Sequence, residues 1–366
     1  MFNFIKVIRD KLSLPKKNSQ NINSSINVSV TRRNIKESAS LLILGNGFNL
    51  DMKFRTRYKD FYTRYLNDNN SVKYKNSELC RLLLDKNKNR QWADIEQVIK
   101  QFAIDSRTMT IDIEEEKAFF DYLVRELGFY MHGEDAFHSV PDDVCKFSPE
   151  MKPHKQDLET LDTLSLRLLR GIMQSEYKIK VLSFNYSDMQ SIATTVAYGM
   201  VKHNNGNDVH SLRFCNDYHL AGKLTKEHFE FEYPHISGSK CVLGTDDDSK
   251  IPDYLSFMRK SAQLEPDAYS VDFSGYRYII FFGFSFGECD SNFNKILFDK
   301  LCKMENKPKL VIITYDTESS TQIEDNMKKF MKDDLEQQLE YSFLFTRYGC
   351  EVCNYVKLAK ILFQEK

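Results

Sequence analysis

The stretch Leu41–Leu50, LLILGNGFNL, decides how the rest of the chain is read. An apolar run, Leu41 to Leu44, meets Gly45-Asn46-Gly47 and continues into the helix-compatible segment DMKFRTRYKDF, ending at Phe61. A parallel strand delivers its carboxyl end to a nucleotide in this way. Glycines allow a sharp bend and close approach to a phosphate or ribose, and the following helix offers N–H groups. Asn46 tolerates left-handed backbone angles and carries an amide for hydrogen bonding. A GxG after a strand is also compatible with a tight connection and nothing more, so the residues downstream of Phe61 have to decide between the two.

At 366 residues the chain is long enough for one or two domains with a large core. Lys and Arg number 51 against 52 Asp and Glu, a net charge of −1, which gives no global attraction for nucleic acid. No run of about 18 apolar residues occurs, which excludes an ordinary transmembrane helix. The eight cysteines are scattered, and only Cys350 and Cys353 form a CxxC. A structural zinc site wants a second pair, so no metal is expected and the CxxC reads as packing. No secretory leader opens the sequence, so reduced thiols and a cytoplasmic location are expected.

Residues 1–14, MFNFIKVIRDKLSL, have the spacing of a short amphipathic basic helix with Phe4, Ile5, Ile8 and Leu12 on one side. A membrane-surface or partner role and a loosely docked terminus both fit it. Residues 15–39 are rich in Asn, Ser, Lys and Arg and read as linker. The expected division is a flexible arm and linker over 1–39 and an α/β domain over 40–366, with residues 1–38 dispensable for folding. Helices are expected at Glu78–Leu84, from Trp92 through Phe102, at Glu116–Tyr130 and at Asp157–Ser175, which makes about 62–177 a helical insertion between the first two strands. A binding cleft between insertion and sheet is expected. Further strands are expected at Lys180–Asn185, Cys241–Leu243, Tyr278–Phe282 and Leu310–Thr314. Each is a short continuous apolar run, as a sheet covered on both faces requires, and each ends in small or polar residues. A helix with Phe293, Ile296, Leu297, Leu301 and Met304 on one face follows Tyr278–Phe282. The fold class is α/β, a mostly parallel Rossmann-like sheet with a helical insertion, its strand ends lining one ligand-binding edge.

Several polar residues fall on that edge. Asn185 follows a buried strand with Asp188 close behind, and both a ligand contact and a helix cap fit it. Asp290 stands at the start of the helix after Gly283-Phe284-Ser285-Phe286-Gly287, where it reads as a cap bordering a ligand. His235 is a loop histidine and a candidate general base. Trp92 and Glu96 lie one helical turn apart, Trp92 as core or cleft wall and Glu96 as a ribose ligand or base. The run Asp246–Asp248 reads as a solvated loop rather than a cation site.

GNGFNLDMKFRTRYKDF resembles the opening signature of the AbiH family of bacteriophage abortive infection proteins, roughly G-N-G-F-D and then T-x-Y-x-D-F, with Thr56, Tyr58, Asp60 and Phe61 on the second block. WADIE (Trp92–Glu96), LSFNYSD (Leu182–Asp188), PHISGS…VLGTDD (Pro234–Asp247) and FGFSFGECD (Phe282–Asp290) fit the later blocks in order. The resemblance runs from about Leu41 to Asp316. It implies antiviral defence, compatible with a phage-derived trigger and a homo-oligomer. The family in turn resembles sirtuin-type NAD-binding domains. That likeness implies NAD or a related nucleotide as substrate and an NAD glycohydrolase-type hydrolase. Under it Gly45, Asn46, Gly47 and Phe48 cradle the phosphates, Asn185 orients the ribose or a water, and Gly283 and Ser285 hold the adenosine. Three positions depart from the pattern: Asn49 replaces an Asp, Ser237 precedes Gly238 where a His is expected, and Phe284 replaces a polar residue.

The candidate set is therefore Asn185 and His235 for catalysis, and Gly45, Asn46, Gly47, Phe48, Asn49, Asp188, Gly283, Ser285, Asp290, Trp92 and Glu96 for the nucleotide. Replacing Gly47 by Val is expected to abolish binding at less cost to folding than a core deletion. Two function classes stand: a nucleotide-consuming enzyme, and a sensing or protein-interaction module that kept the fold and lost the chemistry.

Overall fold

Alternate residues of the apolar run go to opposite sides of a sheet. Leu42 and Leu44 join one buried cluster, Leu41 and Ile43 another, so the run has no polar member. The computed structural model describes residues 35–52, 54, 61, 71–88, 95–132, 163–205, 211–237, 240–246, 250–265, 267–347 and 351–364. Trp92, Thr56, Tyr58, Asp60, Gly238, Asp247, Asp248, Cys350 and residues 1–34 lie outside that set. No helix among the described residues is long and apolar enough to cross a membrane.

Strand β1 (Lys36–Leu44) leads into the six-residue helix α1 (Asn46–Asp51). Helices α2 (Glu78–Lys88), α3 (Ile95–Asp105), α4 (Ile113–His132) and α5 (Leu164–Gln174) follow, packing on the Leu42 and Leu44 side. Glu116 of α4 holds α2 by its first turn, accepting from Ser77 Oγ, Glu78 N and Leu79 N at 2.6, 2.6 and 3.2 Å. Next come β2 (Tyr177–Ser183), α6 (Met189–Asn205), α7 (Ser211–His228), β3 (Phe229–Glu232) and the strands β4 (Ile236–Ser237) and β5 (Lys240–Cys241). The chain then runs through β6 (Tyr278–Phe282), α8 (Ser291–Lys303), β7 (Lys309–Thr314), α9 (Thr317–Lys328), α10 (Asp333–Gln338), β8 (Tyr341–Phe345) and α11 (Glu351–Leu362).

Six strands form one all-parallel sheet in the order β3-β2-β1-β6-β7-β8. The chain builds outward from β1 through β2 and β3, then returns to the other side of β1. This is the doubly wound α/β arrangement, and ligands bind where the direction of building reverses. Here that point lies between β1 and β6.

The structure corrects three expectations. Cys241–Leu243 is not a strand of the sheet, because Lys240–Cys241 pairs with Ile236–Ser237 in a separate antiparallel hairpin. The sheet position belongs to β3, FEFE, which is followed on the far edge by the unanticipated β8, YSFLF. Both are edge strands in which exposure varies from residue to residue, so neither reads as a continuous apolar run. Finally, β1 starts at Lys36 rather than near Ser40. Ser38 is buried and its Oγ donates to the Leu362 carbonyl at 2.6 Å, while Lys36 N donates to the Glu176 carbonyl at 2.8 Å. A chain starting at Ala39 is therefore expected to melt several degrees below one starting at Ile35, since each lost hydrogen bond is worth about 0.5–1.5 kcal/mol. Differential scanning calorimetry of the two truncations checks this.

At the reversal point the loops after β1 and β6 pack backbone to backbone. Gly45 N donates to the Phe282 carbonyl at 2.9 Å and Gly47 N to the Gly283 carbonyl at 3.1 Å. A Cβ on Gly47 would stand 2.6 Å from Gly283 Cα. Gly283 itself has φ +64, and a Cβ there would collide with Gly47 Cα. The expectation that Gly47→Val spares folding is thereby corrected: the glycine makes room for protein. Gly47→Val is expected to cost about 3 kcal/mol or more in urea unfolding, at the upper end of overpacking effects, whereas Ser285→Val on the exposed loop is expected to stay within about 0.5 kcal/mol.

Candidate functional site

The carboxyl ends of the strands carry the polar residues into three neighbouring settings. On the β6–β8 side of the glycine crossing lies a cleft of about 770 Å³, lined among others by Gly47, Asp51, Gly283, Ser285, Thr314 and Tyr315. Asp51 is oriented by Ser165, whose N and Oγ donate to its Oδ2 at 2.9 and 2.7 Å. Asp316 caps α9, accepting from Ser319 N at 3.0 Å and from Arg347 Nη1 at 2.9 Å. Ser285 is exposed beside the cleft.

The expected phosphate cradle is occupied by the protein's own bonds. The amides of Gly45 and Gly47 donate across the crossing and that of Phe48 donates to the Gly45 carbonyl at 3.0 Å. The Phe48 ring is fully buried, edge-on to Phe282 at 4.9 Å. It packs the core and lines no cradle, and only Asn46 of the loop is exposed.

On the β2 side stand two amides. Asn49 Nδ2 donates to Ser187 Oγ at 2.7 Å, while Asn185 Nδ2 reaches only Met189 Sδ at 4.0 Å. Both side chains are buried, 1% and 3% exposed, and neither Oδ1 has a hydrogen-bond partner. Such an oxygen costs about 1–3 kcal/mol. Asn185 does not cap the following helix. Asp188 does, accepting from Ser191 N at 3.1 Å and Ser191 Oγ at 2.5 Å, with Tyr233 Oη a further donor at 3.3 Å. Asp188 is thus committed to the fold.

Beyond β3 a charged cluster closes around Lys260, which sequence reasoning missed. Its fully buried ammonium lies 2.8 Å from Asp290 Oδ1, 3.1 Å from Glu96 Oε1 and 3.2 Å from His235 Nε2. Tyr186 Oη donates to Glu96 Oε1 at 2.7 Å. Asp246 packs nearby, its Oδ2 accepting from Asn292 N at 3.1 Å. Burial alone would lower the Lys260 pKa, but the Asp290, Glu96 and Asp246 carboxylates outweigh it and hold the ammonium charged. Burial likewise opposes ionisation of Asp290, and Lys260 and His235 override it, so the carboxyl sits well below its ordinary range. Asp290 makes no cap bond to α8, because its side chain turns inward to this cluster.

The His235 ring is buried between Phe184, edge-on at 5.0 Å, and Tyr186, stacked at 5.7 Å. Burial first, then Lys260, lowers its pKa and keeps it neutral. Its Nε2 lies 3.2 Å from the Lys260 ammonium and 3.0 Å from Asp290 Oδ1, so both near neighbours of this nitrogen are protein groups. The structure therefore brings His235, Glu96 and Asp290 together, and holds Asn49 with Ser187 as a separate group beside Asn185. Nothing in the sequence around Lys260 marks its burial, since its partners come from three distant segments. Among the described residues no group of three or more His, Cys, Asp and Glu is arranged to hold a metal ion; the carboxylates converge on an ammonium instead.

The family model described as bacteriophage abortive infection AbiH matches residues 41–316. That span opens on the apolar run of β1 and ends just past β7. No curated protein matches the chain, and no solved structure does.

A neutral buried His235 has a consequence for stability. The unfolded chain takes up a proton near the ordinary value of 6.5 and the folded chain does not, so stability is full above that pH and falls as the pH drops below it. His235→Gln keeps an acceptor for Lys260 without titrating. Its melting temperature is expected to lie clearly below that of the native protein at about pH 8 and to approach it at about pH 5.5, as read by circular dichroism.

Proposed function

The chain belongs to the AbiH family of bacteriophage abortive infection proteins, and from that premise we propose that it binds an NAD-type dinucleotide along the carboxyl edge of its sheet and hydrolyses the nicotinamide–ribose bond. The observation that carries this reading is the pair of buried, unpartnered oxygens, Asn49 Oδ1 and Asn185 Oδ1, beside the reversal point. A ribose hydroxyl or a water is the donor they lack. The cleft lined by Gly47, Asp51, Gly283 and Ser285 opens at the carboxyl ends of the strands, where the other half of a two-part ligand would lie.

The chemistry asks little of a general acid. Nicotinamide leaves as a neutral pyridine, taking the electron pair of the broken C–N bond. The ribosyl cation is captured by water, which then loses its proton to solvent. What the protein supplies is position and a dipole for the positive charge on the ribose, and a carbonyl oxygen on Asn185 provides both. Asn185 is held for this by the end of β2 beneath it.

The second reading, a module that binds a nucleotide without turning it over, is favoured by His235. The one imidazole near the edge is spent on Lys260. Incubating the purified full chain with NAD separates the two. Nicotinamide release supports hydrolysis, saturable binding without release supports the module, and neither binding nor release overturns both. If hydrolysis occurs, Asn185→Ala is expected to reduce turnover by about 100-fold or more, the scale of losing a positioned transition-state dipole. His235→Ala is expected to lower activity only as far as it lowers stability. Full turnover in Asn185→Ala would sink the enzyme reading in this form.

A further inference from the structure

A second cavity, of about 500 Å³, shares no lining residue with the cleft beside the glycine crossing. Its volume suits a small molecule. One wall is a face of α8, where Asn292, Lys295, Ile296 and Lys300 recur at the three- and four-residue spacing that brings side chains to one side of a helix. The other wall is built by the segment 261–270, with Tyr269 at its centre. Apart from Pro266, which carries no charge, every residue of 261–270 and of α8 belongs to the described set.

Both walls are anchored to the protein behind them. Asn292 N donates to Asp246 Oδ2 at 3.1 Å and Tyr269 Oη to Asp246 Oδ1 at 3.4 Å, while the Tyr269 ring packs 5.9 Å from that of Phe293. Asp246 is buried, and it is one of the carboxylates that hold Lys260 charged. Lys300 is fixed as well: its Nζ donates to the Val271 carbonyl at 2.5 Å and lies 5.7 Å from the Phe273 ring centroid. An ammonium has three donors, and this carbonyl takes one of them. A cation already held in place spares a ligand the entropic cost of ordering it. The carboxylate next to it on α8, Asp299, is paired with Lys332 at 3.1 Å. Against the two ammonium groups the lining sets one carboxylate, the exposed Glu265, so its charge favours an anion. Leu264, Ala268 and Ile296 make part of the same lining apolar.

We infer that this cavity is a binding site for a small monocarboxylate with an apolar body, its charge received by Lys300 and Lys295 and its body by Leu264, Ile296 and Tyr269. A bare inorganic anion would leave the apolar lining unused, and a neutral molecule would leave the ammonium donors unused. The site stands independently of the nucleotide reading above and concerns a different part of the molecule.

The test is saturation-transfer NMR of the full chain with phenylacetate, with its neutral isostere phenylacetamide, and with inorganic phosphate as a competitor. Wild type, Lys300→Met, Lys295→Met and Ala268→Phe are compared, each first checked by circular dichroism for a native melting temperature. Lys295 is exposed, so its variant is expected to keep that temperature. Phenylacetate is expected to bind saturably, with a Kd of about 1 mM or tighter. Phenylacetamide is expected to bind at least about tenfold more weakly, and phosphate at equal concentration to displace nothing. Lys300→Met is expected to weaken phenylacetate about tenfold and Lys295→Met about threefold. Ala268→Phe, which fills the cavity, is expected to abolish binding. If Lys300→Met does not melt as the native protein does, Lys295→Met and Ala268→Phe decide. No saturable signal from phenylacetate, equal affinity for the amide, displacement by phosphate, wild-type affinity in the natively folded lysine variants, or undiminished binding in Ala268→Phe overturns the inference. Release of nicotinamide from NAD, present or absent, leaves it unchanged.

Discussion

Two stretches of bare backbone, Gly45–Gly47 after β1 and Gly283 after β6, touch with no side chain between them. The carboxyl edge of the sheet is organised around that contact. It draws together the two strands between which the direction of building reverses, and so fixes how far the β2 and β3 loops on one side stand from the β6 and β7 loops on the other. Because backbone packs directly on backbone, the contact has no side-chain torsions with which to relax.

The Lys260 cluster does a different kind of work. It joins α3 of the helical insertion, through Glu96, to the β3 loop through His235 and to the β6 loop through Asp290. Desolvating these groups cancels much of their attraction, so the cluster contributes less net stability than its distances suggest. Removing one member is another matter, because an uncompensated buried charge costs about 3–5 kcal/mol. Such a cluster selects one arrangement of three loops over others that an apolar core would tolerate equally well.

Much of this was legible in the sequence where burial is two-sided. Leu41–Leu44, Tyr278–Phe282 and Leu310–Thr314 read as strands because both faces of each are covered. The edge strands β3 and β8 did not, since FEFE and YSFLF carry polar residues and meet a neighbour on one side only. The glycines were legible as a place of close approach, but approach to a ligand and approach to Gly283 leave the same residues behind. Asn185 stands out in the sequence by its place at the end of a strand, His235 as a loop histidine and Glu96 by its helical spacing from Trp92. That His235 and Glu96 meet through Lys260 depends on the path of residues 233–263, largely loop and short 3₁₀ turns with no periodicity to follow.

The tie between Ser38 and the last helix bears on how the protein is made. Ser38 Oγ donates to Leu362 O across 324 residues of sequence, Ser40 Oγ donates to Ile361 O, and Ala39 N donates to Gln364 O. The central strand of the sheet thus has its flank closed by a helix far downstream in the sequence. On the ribosome β1 waits for β6 to supply its second neighbour and for α11 to cover its start, a high-contact-order route that delays assembly. The glycine crossing forms only once β6 has been made.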